Sequence, residues 1–356
     1  MELSDAHSST FSPVTFSGKT TEYFKIWLVN TALTIVTLGI YSPWAMVRKQ
    51  RYFYTHTELA NGSFDFHANP KAILLGRIIA LIIAGLYFGS SYIHPFAPFI
   101  IILLIFAIVP WLVVRSRIFR MRNTSYRGIR FNFIPDYKEA FKVYYLAALV
   151  TVLSLGFATP SAIYMRTKFA VRHMGFGKTR FTFSGKHGQY TSIFWRSAGL
   201  SVLVIAIYMG LIIFVAPAVT PDFMPGDGEP GFESQLYGFL ISLPLFVGYA
   251  AVAVYSLIRF RNYTWNMTGL GGNRIHSDLS VREMLAIYLT NALAIVFSLG
   301  LLIPWAQIRL ARYRAQHVQI DLADDWKDYV ASGEVQGSAL GDEIGQAFDV
   351  ELDLGF

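Results

Sequence analysis

Cysteine is absent from the 356-residue chain, which excludes disulfides, cysteine-ligated zinc, iron–sulfur clusters and cysteine nucleophiles. Charge is scarce as well: 15% of the residues are charged, where an ordinary soluble domain carries roughly 25%. A secretory leader is not apparent, because Met1–Lys19 is polar and the first apolar run begins only at Ile26 without a small-residue cleavage pattern behind it. That run is therefore expected to stay in the mature chain. No nucleophile–base pair, metal-spaced ligand set or cofactor fingerprint stands out, so the reading is not an enzyme and includes no cofactor. GFGKT (Gly175–Thr179) imitates the end of a phosphate-binding loop, but the position five residues before Gly177 is Arg172 and no buried strand precedes it, so it reads as a basic turn.

What the chain has in quantity is apolar surface. It is 54% hydrophobic, with 29 Phe, 20 Tyr and 7 Trp, an aromatic load expected where rings sit at a membrane–water boundary. The apolar residues are gathered in Ile78–Gly89, Ala97–Val114, Tyr144–Ile163, Leu200–Val219 and Leu236–Ile258, which implies several membrane passes. Residues 321–356 hold ten acids and one base, leaving the first 320 residues with 29 bases and 13 acids. Those bases flank apolar segments and form no separate basic domain. They point to anionic lipid headgroups and the positive-inside effect, and not to nucleic acid.

One pattern occurs three times without gaps: EYFKIWLVNTALTIVTLGIYSPWAMVRKQRYFYTH (22–56), EAFKVYYLAALVTVLSLGFATPSAIYMRTKFAVRH (139–173) and EMLAIYLTNALAIVFSLGLLIPWAQIRLARYRAQH (283–317). The copies share Glu22, Glu139 and Glu283, then Gly39, Gly156 and Gly300. Pro43, Pro160 and Pro304 follow, then Arg51, Lys168 and Arg312, and each copy ends on a histidine, His56, His173 or His317. Glu22–Leu38 reads as a helix, Gly39 as its left-handed stop, Ser42 as an N-cap and Pro43 as the first position of a second helix. FSGK at Phe16–Lys19 and again at Phe183–Lys186 reads as a short strand and turn leading into the next helix, its lysines within reach of lipid phosphate.

The expected architecture is an all-α integral membrane protein with three helix–break–helix modules alternating with two transmembrane hairpins, about seven hydrophobic segments in all. The divisions are a polar segment 1–21, module 22–59, hairpin 72–119, module 139–176, hairpin 193–260 with an acidic outer loop 217–235, module 283–320 and an acidic tail 321–356. If the hairpin tips face outward, all 30 Lys and Arg fall on the other side, and the tail and basic loops are cytoplasmic. Both flanks of the middle module are basic, which favours three broken segments that re-enter the membrane plus four spans over seven full spans.

Several residues invite functional readings. His56, His173 and His317 are weak metal candidates if the modules converge, but no carboxylate is evident beside them, and a basic interfacial helix is the plainer reading. Glu22, Glu139 and Glu283, with Asn30 and Asn291, could line a polar path. Capping boxes at Asp136–Glu139 and Ser280–Glu283 and interhelical hydrogen bonds from the asparagines explain them more simply. Arg48, Lys49, Arg51, Lys168, Arg309 and Arg312 are the candidate contacts to anionic headgroups.

The stretch TFSGKTTEYFKIWLVNTALTIVTLGIYSPWAMVRKQRYFY (15–54), with FDFHANP (64–70) and GSALGDEIGQAFDVEL (337–352), resembles the YjgN-like family of bacterial inner-membrane proteins. The resemblance covers nearly the whole chain. It implies a multi-pass protein of the cytoplasmic membrane, in a family of unknown function, and supplies no substrate, cofactor or catalytic residue. The middle module departs from the motif, with Ser161 where the outer two have Trp44 and Trp305. Function is left between a small-solute transporter or channel, suggested by broken membrane helices and duplication, and a non-transporting scaffold that binds anionic lipid. Membrane lipid is the expected partner, and a homo-oligomer is left open.

Overall fold

Short strands, not helices, organise this protein. The computed structural model describes residues 10–215 and 232–322; most of the expected acidic loop 217–235 and of the acidic tail 321–356 lies outside the described residues. Ten strands occur: β1 (Thr10–Phe16), β2 (Thr57–Leu59), β3 (Gly62–Phe66), β4 (Thr124–Tyr126), β5 (Ile129–Phe133), β6 (Met174–Phe176), β7 (Thr179–Phe183), β8 (Thr268–Leu270), β9 (Asn273–Ser277) and β10 (Val318–Leu322). Each pairs antiparallel with its chain neighbours, and β1 pairs β10, closing a barrel. The expectation of an all-α protein with about seven hydrophobic segments is thus overturned. The described residues are about 14% strand and 69% helix, and among them four helices are long and apolar enough to cross a membrane. Most of these strands have only three to five residues, so each shows one to three alternating apolar positions, too few for a period-two pattern to stand out.

The alternation is real once the strands are paired. Phe64 faces Tyr126, Phe131 faces Phe176 and Phe181 faces Leu270 across the ladders, while Ser63, Arg130, Arg180 and Arg274 between them are exposed. Rings two strands apart still approach: Phe64 and Phe131 at 6.4 Å, Tyr126 and Phe176 at 6.2 Å, Phe131 and Phe181 at 6.5 Å between centroids. Only side chains converging on the barrel axis do this. The Tyr126 hydroxyl, buried with them, donates to the Leu59 carbonyl at 2.6 Å, and burial pushes its pKa up. Two-residue turns join β2–β3, β4–β5, β6–β7 and β8–β9 at one end of the barrel. Three of these turns have positive φ at both positions, as at Ala60–Asn61, the backbone twist that suits tight hairpins.

At the other end every strand pair opens into two helices. The helices are α1 (Thr20–Val36), α2 (Ser42–Thr55), α3 (Pro70–Ser90), α4 (Ala97–Asn123), α5 (Tyr137–Leu153), α6 (Thr159–Arg172), α7 (His187–Gly210, running on through a π-helical turn Leu211–Val215), α8 (Phe232–Asn266), α9 (Val281–Phe297) and α10 (Ile303–Gln316). Among the described residues the order strand, two helices, strand therefore occurs five times, and one backbone bond closes each neck. The N–H groups of Ser17, His67, Ile134, Ser184 and Asp278 donate to the carbonyls of His56, Asn123, His173, Met267 and His317 at 2.8 to 3.2 Å. Each helix packs against its predecessor and its successor, and α10 against α1, so the helices form a closed ring above the barrel.

Two of the five hairpins, α3–α4 and α7–α8, are long enough to span. In the other three, Gly39 N–H bonds Thr34 O, Gly156 N–H bonds Thr151 O and Gly300 N–H bonds Ile295 O, all at 2.8 Å. This is the Schellman bond, and the residue that turns left-handed before it is a leucine: Leu38, Leu155 and Leu299 have φ of 49, 51 and 50°. The following glycines have φ of 91, 91 and 90°. The Thr37, Ser154 and Ser298 hydroxyls then accept the N–H of Tyr41, Ala158 and Leu302 at 2.9 to 3.0 Å, starting the second helix. Ser42 is the first residue of α2 and Tyr41 its cap, one residue earlier than the sequence suggests. Pro43, Pro160 and Pro304 sit buried in the first turn, where no donor is lost.

Candidate functional site: the feet of the broken hairpins

Because the neck bond ties the start of one helix to the end of the other, the shared glutamate and histidine of each module meet at its foot. His56 Nε2 lies 4.0 Å from Glu22, His173 Nε2 3.4 Å from Glu139 and His317 Nε2 3.7 Å from Glu283. A carboxylate therefore does accompany each histidine, contrary to the reading from sequence, where the two stand 34 residues apart. The second ring nitrogen, Nδ1, lies 2.7 to 2.9 Å from the carbonyl four residues back, of Tyr52, Phe169 or Tyr313. Those same three rings stack on the imidazoles, with centroids 4.1 to 4.4 Å apart.

Tyr52, Phe169 and Tyr313 each stand four residues before the histidine. Where the ring is a tyrosine its hydroxyl accepts the N–H of the cap residue: the Lys19 N–H donates to Tyr52 at 2.9 Å and the Ser280 N–H to Tyr313 at 3.0 Å. The Tyr52 hydroxyl also lies 3.4 Å from Glu22 Oε2. Burial pushes the Tyr313 phenol up to about 12 and Tyr52 upward, with the neighbouring glutamate adding to both, so both remain neutral donors. Where the ring is Phe169, Asp136 caps its own helix, accepting from the Glu139 N–H at 2.8 Å.

The three histidines do not form one centre, since each belongs to the foot of a different hairpin. Among the described residues the group with three potential metal-ligating atoms together, within 4.8 Å of one another, is Asp136, Glu139 and His173. Asn30 and Asn291 are 6% exposed and join the two helices of their modules, donating to the carbonyls of Ala45 and Ala306 at 3.4 and 3.3 Å.

The predicted basic contacts lie along the second helices, near the barrel. Arg309 lies over the Trp305 ring at 5.2 Å and donates to Thr290 and Asn291, and Arg312 donates to the Gly18 carbonyl. Both line a groove of about 430 Å³ with Glu283, Trp305 and Gln316. Arg51 donates to the Phe66 carbonyl, Lys168 lies over Tyr164, Arg48 is exposed, and Lys49 lines a smaller groove beside Asn30. The tips, by contrast, are apolar and open: Leu38, Leu155 and Leu299 are 94, 88 and 94% exposed.

Four helices long and apolar enough to cross a membrane, apolar hairpin tips and basic second helices, set on a strand barrel, fit an integral membrane protein. Residues 11–347 match the model of a family described as bacterial protein of unknown function (DUF898), and the chain belongs to that YjgN-like family. It is 27% identical over 365 residues to the inner membrane protein YjgN of Salmonella typhimurium, covering 89% of each chain. To its counterpart in Escherichia coli K12 it is 23% identical over 357 residues, covering 87% of this chain and 89% of the relative. No solved structure matches it significantly.

Proposed function

We propose that this is a multi-pass protein of the bacterial inner membrane that holds anionic lipid, with its barrel and hairpin feet on the cytoplasmic side. The names of its relatives support the compartment. The carrying observation is the polarity of the three broken hairpins. Their first helices have 17 residues each, about 25 Å at 1.5 Å per residue, short of the roughly 30 Å hydrocarbon core. They run from basic feet to exposed leucines. Such a hairpin enters from the headgroup side and turns back before the far face, with headgroups beside Arg309, Arg312 and their counterparts.

Transport is the weaker reading. The asparagines that could line a polar path are buried and donate across their own helix pairs, and the barrel beneath the ring is filled by Phe64, Tyr126, Phe131, Phe176 and Phe181. The test is lipid retention. The protein is reconstituted in nanodiscs of mixed phosphatidylglycerol and phosphatidylcholine, extracted and weighed by native mass spectrometry. Phosphatidylglycerol should be retained preferentially, and the double variant Arg309→Gln/Arg312→Gln should lose at least one retained molecule. Equal retention of both lipids by the unaltered protein would sink the proposal.

A further inference from the structure

We propose that the foot of the middle broken hairpin binds one divalent transition-metal ion through Asp136, Glu139 and His173. The three feet share a glutamate, a histidine and a neck but differ at two positions beside them. At the first position stands Lys19, Asp136 or Ser280, the N-cap of the first helix. At the second stands Tyr52, Phe169 or Tyr313.

In the first foot the glutamate is matched twice, by Lys19 Nζ at 3.5 Å and by the Tyr52 hydroxyl. In the third foot the Tyr313 hydroxyl, bonded to the Ser280 backbone, lies at the helix start that carries Glu283. The middle foot has lost both kinds of donor. Phe169 has no hydroxyl, and the cap carries a second negative charge. Among the described residues His173 is the ionic partner of Glu139, and the Asp136 carboxylate accepts the Glu139 N–H. Capping does not require that charge, because Asn69 caps α3 with a neutral side chain. A protonated His173 would match one carboxylate and leave the other.

The ligand geometry fits a metal. The Phe169 carbonyl, 2.8 Å from Nδ1, holds that nitrogen as the N–H and leaves the Nε2 lone pair facing the carboxylates, the usual orientation of a metal-bound histidine. Two ligands about 2.1 Å from a tetrahedral ion stand about 3.4 Å apart, and Nε2 lies 3.4 Å from Glu139 Oε2. The corresponding distances in the other feet are 4.0 and 3.7 Å. An imidazole with two carboxylates suits Zn²⁺ or Mn²⁺ over Mg²⁺ or Ca²⁺, which favour all-oxygen sets. Partial exposure leaves room for water as the remaining ligand.

The test uses the full chain in detergent, stripped with EDTA and dialysed against Zn²⁺, with bound metal counted per chain and affinity read by calorimetry. One site per chain is expected. His173→Gln and Asp136→Asn should each weaken it at least about tenfold, whereas His56→Gln and His317→Gln leave it intact. Asp136→Asn retains a good N-cap, so unchanged thermal unfolding of the metal-free protein separates lost binding from lost structure. Absence of stoichiometric Zn²⁺ binding, unaltered binding by Asp136→Asn, or an equal loss in His317→Gln would each overturn the assignment.

Discussion

Replacing Gly39 by alanine isolates the cost of the helix break from everything around it. The residue has φ of 91°, in the left-handed region where a side chain costs roughly 1–2 kcal/mol. A Cβ built there meets no atom within 4 Å, so no clash adds to the backbone term. The expected loss is therefore about 1–2 kcal/mol, close to a tenfold shift in the unfolding equilibrium. Gly156 and Gly300 have the same φ, and an added Cβ would meet only Thr159 Oγ1 at 4.0 Å or Ile303 Cδ1 at 3.6 Å. Alanine at either should cost the same. Gly85, within α3, supplies the opposite sign: its added Cβ also meets nothing, and alanine there should stabilise by roughly 0.5–1 kcal/mol. Unfolding of the purified protein titrated with sodium dodecyl sulfate in mixed micelles reads all four. If Gly39→Ala is neutral or stabilising while Gly85→Ala behaves as expected, the left-handed joint is not what fixes the break.

Other consequences are quicker to state. Tyr126→Phe removes the 2.6 Å bond to the buried Leu59 carbonyl and should cost about 1–3 kcal/mol, read by the same titration. Ser280→Ala removes a side-chain cap that lies 3.4 Å from the Glu283 N–H; since Tyr313 also serves that helix start, the loss should stay below about 1 kcal/mol, and Ser280→Ala with Tyr313→Phe should exceed the sum of the singles. Because the chain lacks cysteine, single cysteines report topology directly. Ser63→Cys on the barrel and Ser91→Cys between α3 and α4 should react with an impermeant maleimide from opposite faces, and Leu155→Cys at a hairpin tip from neither. Reaction of Ser63→Cys and Ser91→Cys from one face would refute the orientation proposed.

The sequence by itself determined the membrane character, the three Leu-Gly breaks and the basic flanks, because each depends on residues close together in the chain. Hydrophobic runs and a glycine followed four residues later by proline carry local meaning. The barrel was beyond its reach for the opposite reason. A three-residue strand such as Met174–Phe176 has little preference of its own and becomes a strand only when Phe133 and Phe131 lie beside it. The alternation Phe64–Asp65–Phe66, repeated at Phe131–Asn132–Phe133 and Phe181–Thr182–Phe183, was the available signal. The same dependence hid the candidate site. Glu139 and His173 are 34 residues apart in the chain and become neighbours because the neck bond from Ile134 to His173 joins the two ends of the hairpin. Which glutamate meets which histidine was decided by strand pairing at each neck, since that pairing holds both ends of a helical hairpin at one level, whereas Asp136 joins the middle pair because the sequence puts it three residues before Glu139.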